Sequence, residues 1–190
     1  KLTFELEGGQ GAIAFSDQQE HLYKVSSLLL KGDITGGLDK VSIQGANLDL
    51  DGQHAVLGVE ATGFKDYILK SSLHNLQLRL TAAVSELKVD ELYHFWPQYI
   101  AEKAWQWCKD SLSGGVISDA SFIFDFGYDK KRQQMVFENL DGTAKVSGVN
   151  LDYLSGMPKV TDVYGSVDFA SDRLKINVDK GVSDDVILNS

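Results

Sequence analysis

The chain has 190 residues, one cysteine and a formal net charge of −9, from 27 acidic and 18 basic side chains. That balance, with no basic stripe, excludes the phosphate-neutralising surface a nucleic-acid partner requires. A lone thiol excludes an intramolecular disulfide framework and a cysteine-based zinc cage, and apolar runs as short as Leu28 to Leu30 fall far below the roughly 20 residues of a membrane-spanning helix.

From the N-terminus onward the dominant signal is alternation with period two. "KLTFELE" sets Leu2, Phe4 and Leu6 on one side, with Thr3 between them on the other. "GGQG", Gly8 to Gly11, is followed by the strand-like "AIAF" and by no helix, so it reads as a hairpin turn and not as a phosphate loop. "KGD", "TGG" and "DGQ" supply further turns. "NLDLD" aligns Leu48 with Leu50, and "NLQLRLTAAV" aligns Leu76, Leu78, Leu80, Ala82 and Val84. "DLDGQ", Asp49 to Gln53, lacks the further ligands and terminal glutamate of a calcium loop and reads as a strand end plus turn. Strands with one apolar and one wet face predict antiparallel sheet.

Residues 89 to 113 break the pattern. Asp90 is placed to cap a short turn through "ELYHF", Pro97 suits the first turn of a second helix, and "SGG", Ser113 to Gly115, supplies a stop. Helical spacing groups Ile100, Ala104, Trp107, Cys108 and Ser111 on one face, while Trp105 points roughly 160° away from Trp107. Two surfaces must therefore receive two indoles: the sheet for Trp107, and a neighbouring loop, chain or lipid for Trp105.

Alternation then resumes. "SFIFDF" aligns Phe122, Phe124 and Phe126; "VYGSVDF" aligns Val163, Val167 and Phe169; "RLKINVD" aligns Leu174, Ile176 and Val178. "DKKRQ", "LDG", "LSGMP" and "ASD" read as the intervening turns. "KVSIQGANLD", from Lys40, resembles "KVSGVNLD", from Lys145. The length difference of two residues keeps every side chain on its face, which is compatible with a repeated strand unit.

Residues fit for chemistry are scattered. His21, His54, His74 and His94 include no pair at metal-ligand spacing. "DSLSGG", Asp110 to Gly115, has serines without a nucleophile elbow. Asp119, Asp125, Asp184 and Asp185 form a carboxylate pair only if the fold brings two of them together. A non-catalytic protein without metal or cofactor is the expectation. The apolar faces carry two readings, an ordinary closed core or an open groove for an apolar ligand.

From Val89 onward, Trp96 and Pro97 entering a helix, Trp107 within it, the Gly115 stop, and the series Tyr153, Gly156, Pro158, Val160, Val163, Gly165 and Phe169 resemble the AsmA-like superfamily of bacterial envelope proteins. The resemblance covers residues 89–181, about half the chain. Where relatives have proline and arginine early in the helix, this chain has Glu102 and Trp105. The resemblance implies a mainly β fold: a long, curved antiparallel sheet forming a groove, with one helical insertion near residues 90–112. It further implies a periplasmic segment of a longer, inner-membrane-anchored protein that guides phospholipid acyl chains toward the outer membrane, or alternatively a structural or protein-interaction module with a closed core. Phe122, Phe124, Phe126, Val163, Val167 and Phe169 would contact lipid, and Trp96, Ile100, Trp105 and Trp107 would pack the helix. Residues 1–88 share the strand style. The start at Lys1 without methionine, and a strand pattern that runs to the last residues, lead us to expect residues 1–190 to be one β-rich segment of something larger.

Overall fold

The computed structural model describes residues 1–13, 23–50, 53–96, 101–154, 156–183 and 186–189. They form a mainly β protein with twelve strands in one antiparallel sheet: β1 (Leu2–Gly8), β2 (Gly11–Ile13), β3 (Tyr23–Thr35), β4 (Lys40–Leu50), β5 (Gln53–Thr62), β6 (Gln77–Lys88), β7 (Leu112–Ser113), β8 (Val116–Asp129), β9 (Gln134–Leu151), β10 (Val160–Ala170), β11 (Arg173–Ser183) and β12 (Val186–Asn189). The hydrogen-bonded order is β1-β3-β4-β5-β6-β8-β9-β10-β11-β12, with β2 also on β3 and β7 on β9. Three helices interrupt it: α1 (Phe64–Lys70), α2 (Leu92–Phe95), which follows a 3-10 turn at Val89–Glu91, and α3 (Glu102–Ser111). The chain divides into two compact units, Lys1–Ala83 with Phe122–Leu140, and Val84–Ser121 with Asp141–Ser190.

In the first unit the register sorts the side chains. Phe4 lies opposite Gly32, Gly32 opposite Ile43, and Ile43 opposite Val59, so these positions share a side. By the two-residue period the same side carries Leu2, Leu6, Leu28, Leu30, Ile34, Val41, Leu57 and Ala61. A bulge centred on Gly45, at φ 65°, inserts one residue in β4 and returns Ala46 and Leu48 to that side. The other side carries Thr3, Glu5, Lys31, Asp33, Ser42, Gln44, Asn47, His54 and Glu60, with Leu29 and Val56 as apolar exceptions.

The second unit repeats the device. Val163 pairs with Val149 and Gly165 with Val146, so β9 carries an extra residue at Ser147–Gly148, where Gly148 has φ 67°. Asp162, at φ 52°, marks a matching bulge in β10. On either side of the bulges Ala144, Val146, Val149, Leu151, Val160, Val163 and Val167 are buried on one face. The two resembling segments thus share Gly-x-Asn-Leu-Asp around a glycine bulge, with Ala46 and Leu48 buried in one, Val149 and Leu151 in the other.

Several turn readings differ from the structure. "KGD" and "LDG" lie inside β3 and β9, and both glycines sit opposite a phenylalanine: Gly32 faces Phe4 and Gly142 faces Phe169. Gly32 lacks a side chain where the Phe4 ring lies over the strand, a use of glycine that a turn reading misses. "GGQG" is not a hairpin: β1 and β2 both pair with β3, and the glycines join two strands lying along the same partner. "TGG", "DKKRQ" and "ASD" do join neighbouring strands. Asp90 caps no helix; its Oδ1 accepts from the Gly114 N–H at 3.0 Å, tying the start of the helical segment to its glycine stop. Pro97 and Ile100 fall outside the described residues, as do His21, Asp184 and Asp185. The described part of the second helix begins at Glu102, after Ala101 in a left-handed conformation. α1 is an additional helix, held by an Asp66–Lys70 ion pair of 2.8 Å and by Asn75 donating to Asp66.

A Cβ at residue 32 would overlap both the Phe4 ring and the Ser42 carbonyl oxygen. Gly32→Ala should therefore destabilise the first unit by about 1–3 kcal/mol, the cost of overpacking a filled site. Urea unfolding followed by circular dichroism measures this, and an unchanged midpoint would show that the ring is free to move aside.

Candidate functional site

The two units present the same kind of apolar sheet side under different cover. In the first, Gly58 faces Thr81, which puts Leu78, Leu80 and Ala82 on the apolar side by alternation. Arg79 donates to Asp125 on the opposite side through Nε at 2.7 Å and a terminal nitrogen at 3.1 Å. That fork sets Phe124 and Phe126, with Phe122, beside the leucines. Phe122 and Phe124 stack at 6.1 Å, and Phe126 meets Phe137 edge-on at 5.8 Å. These rings, Phe4, and most of the leucines and isoleucines of β3 to β6 are half-buried, and Leu2 and Leu6 are more than half exposed. Among the described residues the unit's one helix, α1, buries none of its residues and so does not serve as a lid.

The wet side of this unit is laced with ion pairs: Lys31 with Glu5 at 2.9 Å, Lys40 with Glu60 at 3.2 Å, and the Arg79–Asp125 fork. Such exposed pairs contribute about 0–1 kcal/mol each, but they fix which side stays in water. The Arg79 hydrogen bonds hold the Asp125 carboxyl below its ordinary range, and the Glu5 hydrogen bond raises Lys31. Asp49 accepts from His54 at 2.9 Å and from the Ser27 hydroxyl at 3.2 Å, and both lower its pKa. The serine bonds the carboxylate and not the imidazole, so this is no nucleophile-and-base arrangement.

In the second unit the apolar side is covered. Val89, Leu92, Trp107, Cys108 and Leu112 from the helical segment close over Ile117, Ala144, Val163, Val167, Phe169 and Ile176 of the strands, leaving a void of about 40 Å³ with a wholly apolar lining. That is room for a few water-sized groups, against the roughly 300 Å³ at which ligand pockets begin. The buried line of α3 runs Trp105, Cys108, Ser111. Trp105 is 9% exposed, packs edge-on against Tyr93 at 6.0 Å, and donates from Nε1 to the Trp96 carbonyl at 3.0 Å. Trp107 is half-buried at the void. The two indoles do enter different surroundings, but the more buried one is Trp105, because α2 folds back beside α3 and the helical periodicity of α3 alone does not reveal that contact. Tyr93 donates to the Cys108 carbonyl at 3.1 Å, and burial pushes the Cys108 thiol up to about 12.

Phe122, Phe124 and Phe126 therefore belong to the side of the first unit that no described helix covers, and Val163, Val167 and Phe169 to the covered side of the second. Asp119 pairs with Lys145 at 2.8 Å, and neither it nor Asp125 is brought to another of the four candidate carboxylates among the described residues. Sequence reasoning missed Tyr93, whose aromatic-plus-hydroxyl chemistry beside a tryptophan-bearing helix was the available signal. No known family model matches the chain, and neither a curated protein nor a solved structure shows significant similarity.

Trp105→Ala should cost about 3–5 kcal/mol of stability, as for other buried large aromatics, and Trp107→Ala clearly less; chemical unfolding of both variants tests the order. Asp125 adds an acid dependence to the first unit. Its folded pKa lies below the unfolded one, so its contribution is present above the ordinary carboxylate range and is lost as pH falls through the lowered value. Asp125→Asn should lower the melting temperature at neutral pH, with the difference from the parent vanishing in acid. A difference that persists undiminished at pH 2 would assign the effect to packing.

Proposed function

We propose that this chain is a non-catalytic, lipid-guiding segment of an AsmA-like envelope protein, in which the apolar side of the first unit receives phospholipid acyl chains. The observation that carries the reading is a broad sheet side of leucine, isoleucine, valine and phenylalanine, uncovered by the unit's own helix and backed by an ion-paired wet side. Large apolar patches left open on a protein in water are uncommon and mark binding surfaces. A sheet with this division holds acyl chains against hydrocarbon while headgroups stay in water, and it asks for no cofactor. In the setting the sequence resemblance implies, the segment sits in the periplasm within a protein anchored in the inner membrane.

The ion-paired side chains fit a binding role, while Tyr93 and Cys108 are raised chiefly by burial. Lys31, Arg79 and Lys145 are raised and Asp49, Asp66 and Asp125 lowered, all toward the charged form and all chiefly by hydrogen bonds to a partner. A general acid or base needs the opposite, a pKa brought toward the working pH. The second reading, a packed structural module, is favoured within the second unit by the helical cover and its small void.

Native mass spectrometry of the purified chain should detect copurifying phospholipid. Phe124→Asp sharpens the test. On an open side the carboxylate keeps its water, so the fold should persist while lipid photocrosslinked from position 124 in the parent is lost, because acyl chains would now meet an unpaired charge. If the domain instead unfolds on substitution and the parent yields no lipid adduct, the first unit is a closed core and the proposal fails.

A further inference from the structure

We infer that one end of the first unit is a docking surface for an anionic lipid bilayer: α1 and the β3–β4 turn enter the headgroup region, and the β8–β9 hairpin attracts the headgroups. The inference stands on the chemistry of this end and not on the acyl-chain reading above.

The register brings three connections to that end. Thr35 pairs with Lys40 and Val41 with Ala61, so the turn of residues 36–39 and the excursion of residues 63–76 that carries α1 leave the sheet together. The Phe64 N–H donates to the Asp39 carbonyl at 3.1 Å. The His74 and Tyr128 rings lie 5.2 Å apart, which puts the hairpin of residues 129–133 beside them.

Four large apolar side chains stand out from this end. Leu38, Tyr67, Ile68 and Leu69 are 45% to 64% exposed. Leu38 holds φ 77°, a backbone conformation that ordinarily falls to glycine or asparagine and costs a leucine free energy. The mount of α1 is firm: a Cβ on Gly63 would overlap the Asn75 backbone, so the base of the excursion is closed, and Asp66 takes both Lys70 at 2.8 Å and the Asn75 amide. Exposed hydrocarbon held in place in this way marks a binding surface.

The angular spread of the side chains selects the occupant. Phe64, Tyr67 and Ile68 alone would line one helix face, the pattern that a groove on a folded partner reads. Leu69, the most exposed of the four, stands about 100° further round, and Tyr67 to Leu69 together cover about 200° of the helix. A groove meets one face, whereas fluid hydrocarbon meets them all.

Charge points the same way. The chain carries −9, yet residues 36–39, 63–76 and 129–133 hold Lys65, Lys70, Lys130, Lys131 and Arg132 against Asp39, Asp66 and Asp129. Asp129 is engaged by its own hairpin, accepting from the Lys131 and Arg132 backbone N–H groups at 2.8 and 3.1 Å, while the Lys130 and Lys131 side chains stay exposed. Lysines at a bilayer surface draw in anionic headgroups, and tyrosine belongs to the same interface.

Flotation of the chain with phosphatidylcholine vesicles, with and without phosphatidylglycerol, tests the assignment. The parent should bind the vesicles that contain phosphatidylglycerol and release them as salt rises. Ile68→Ser with Leu69→Ser should weaken that binding about tenfold or more, and Lys130→Gln with Lys131→Gln about thirtyfold at low salt. All four side chains are exposed, so both variants should keep the parent's melting temperature. No binding of the parent to phosphatidylglycerol vesicles, or parent-like binding by either variant, overturns the inference. Sedimentation without lipid reads the other occupant: self-association of the parent that Leu69→Ser abolishes would assign the patch to a second copy of the chain and overturn the bilayer.

Discussion

Every feature of this protein follows from one constraint: a sheet whose side chains alternate in polarity has an apolar side that water penalises, at about 25 cal/mol for each Å² left exposed. Something must cover that side or the protein must use it. The second unit meets the constraint with a helix, burying Trp105 and Cys108 and closing to a small void over Val163 and Val167. The first unit leaves its leucines and phenylalanines half-buried against one another, with no residue of α1 buried among them. One chain thus carries both solutions to the same physical problem, and the difference between them is where function is sought.

The period-two pattern made the fold legible. Leu2, Phe4 and Leu6, the run from Leu78 to Ala82, and Leu174 with Ile176 all lie in strands with the alternation read from the sequence, and the longest departure from it among the described residues is the helical segment. Less legible was what alternation does not encode. Which strands pair depends on contacts between distant residues, so "GGQG" read as a hairpin although it joins two strands along β3. Burial on α3 depends on α2 returning beside it, so Trp105 reads as outward-facing on its own helix yet is packed against Tyr93. α1 went unread although Phe64, Tyr67 and Ile68 stand at helical spacing, because seven residues give that pattern little length and none of them is buried.

Glycine shows the same limit more sharply. It served three purposes here: turn (Gly36, Gly37), bulge (Gly45, Gly148) and close approach of a ring or of backbone (Gly32, Gly115). Only the first was separable by local sequence. The bulge is the most informative in hindsight, because Gly-x-Asn-Leu-Asp recurs in β4 and β9 with the glycine left-handed in both. The shorter second copy omits two residues before the bulge, one full pleat, so Val146 takes the place Ile43 holds without turning the strand over. The resemblance between the segments is therefore one of backbone geometry: each bulge resets the phase so that the two apolar residues following it, Ala46 and Leu48 or Val149 and Leu151, are buried.

The distribution of charge fixes the orientation of the first unit's sheet. In the first unit Lys31, Arg79 and Asp125 stand on the wet side with partners that favour their charged forms, and their Coulomb energies in water are small. Their consequence is directional. Each pair raises the cost of inverting the sheet, since inversion would bury a lysine, an arginine or a carboxylate while exposing leucine. The ion pairs thus supply little stability individually and yet specify which side of the sheet remains apolar. An apolar side fixed in this way, at positions where burial would otherwise pull the leucines into a core, is what a protein needs if hydrocarbon is to be its ligand.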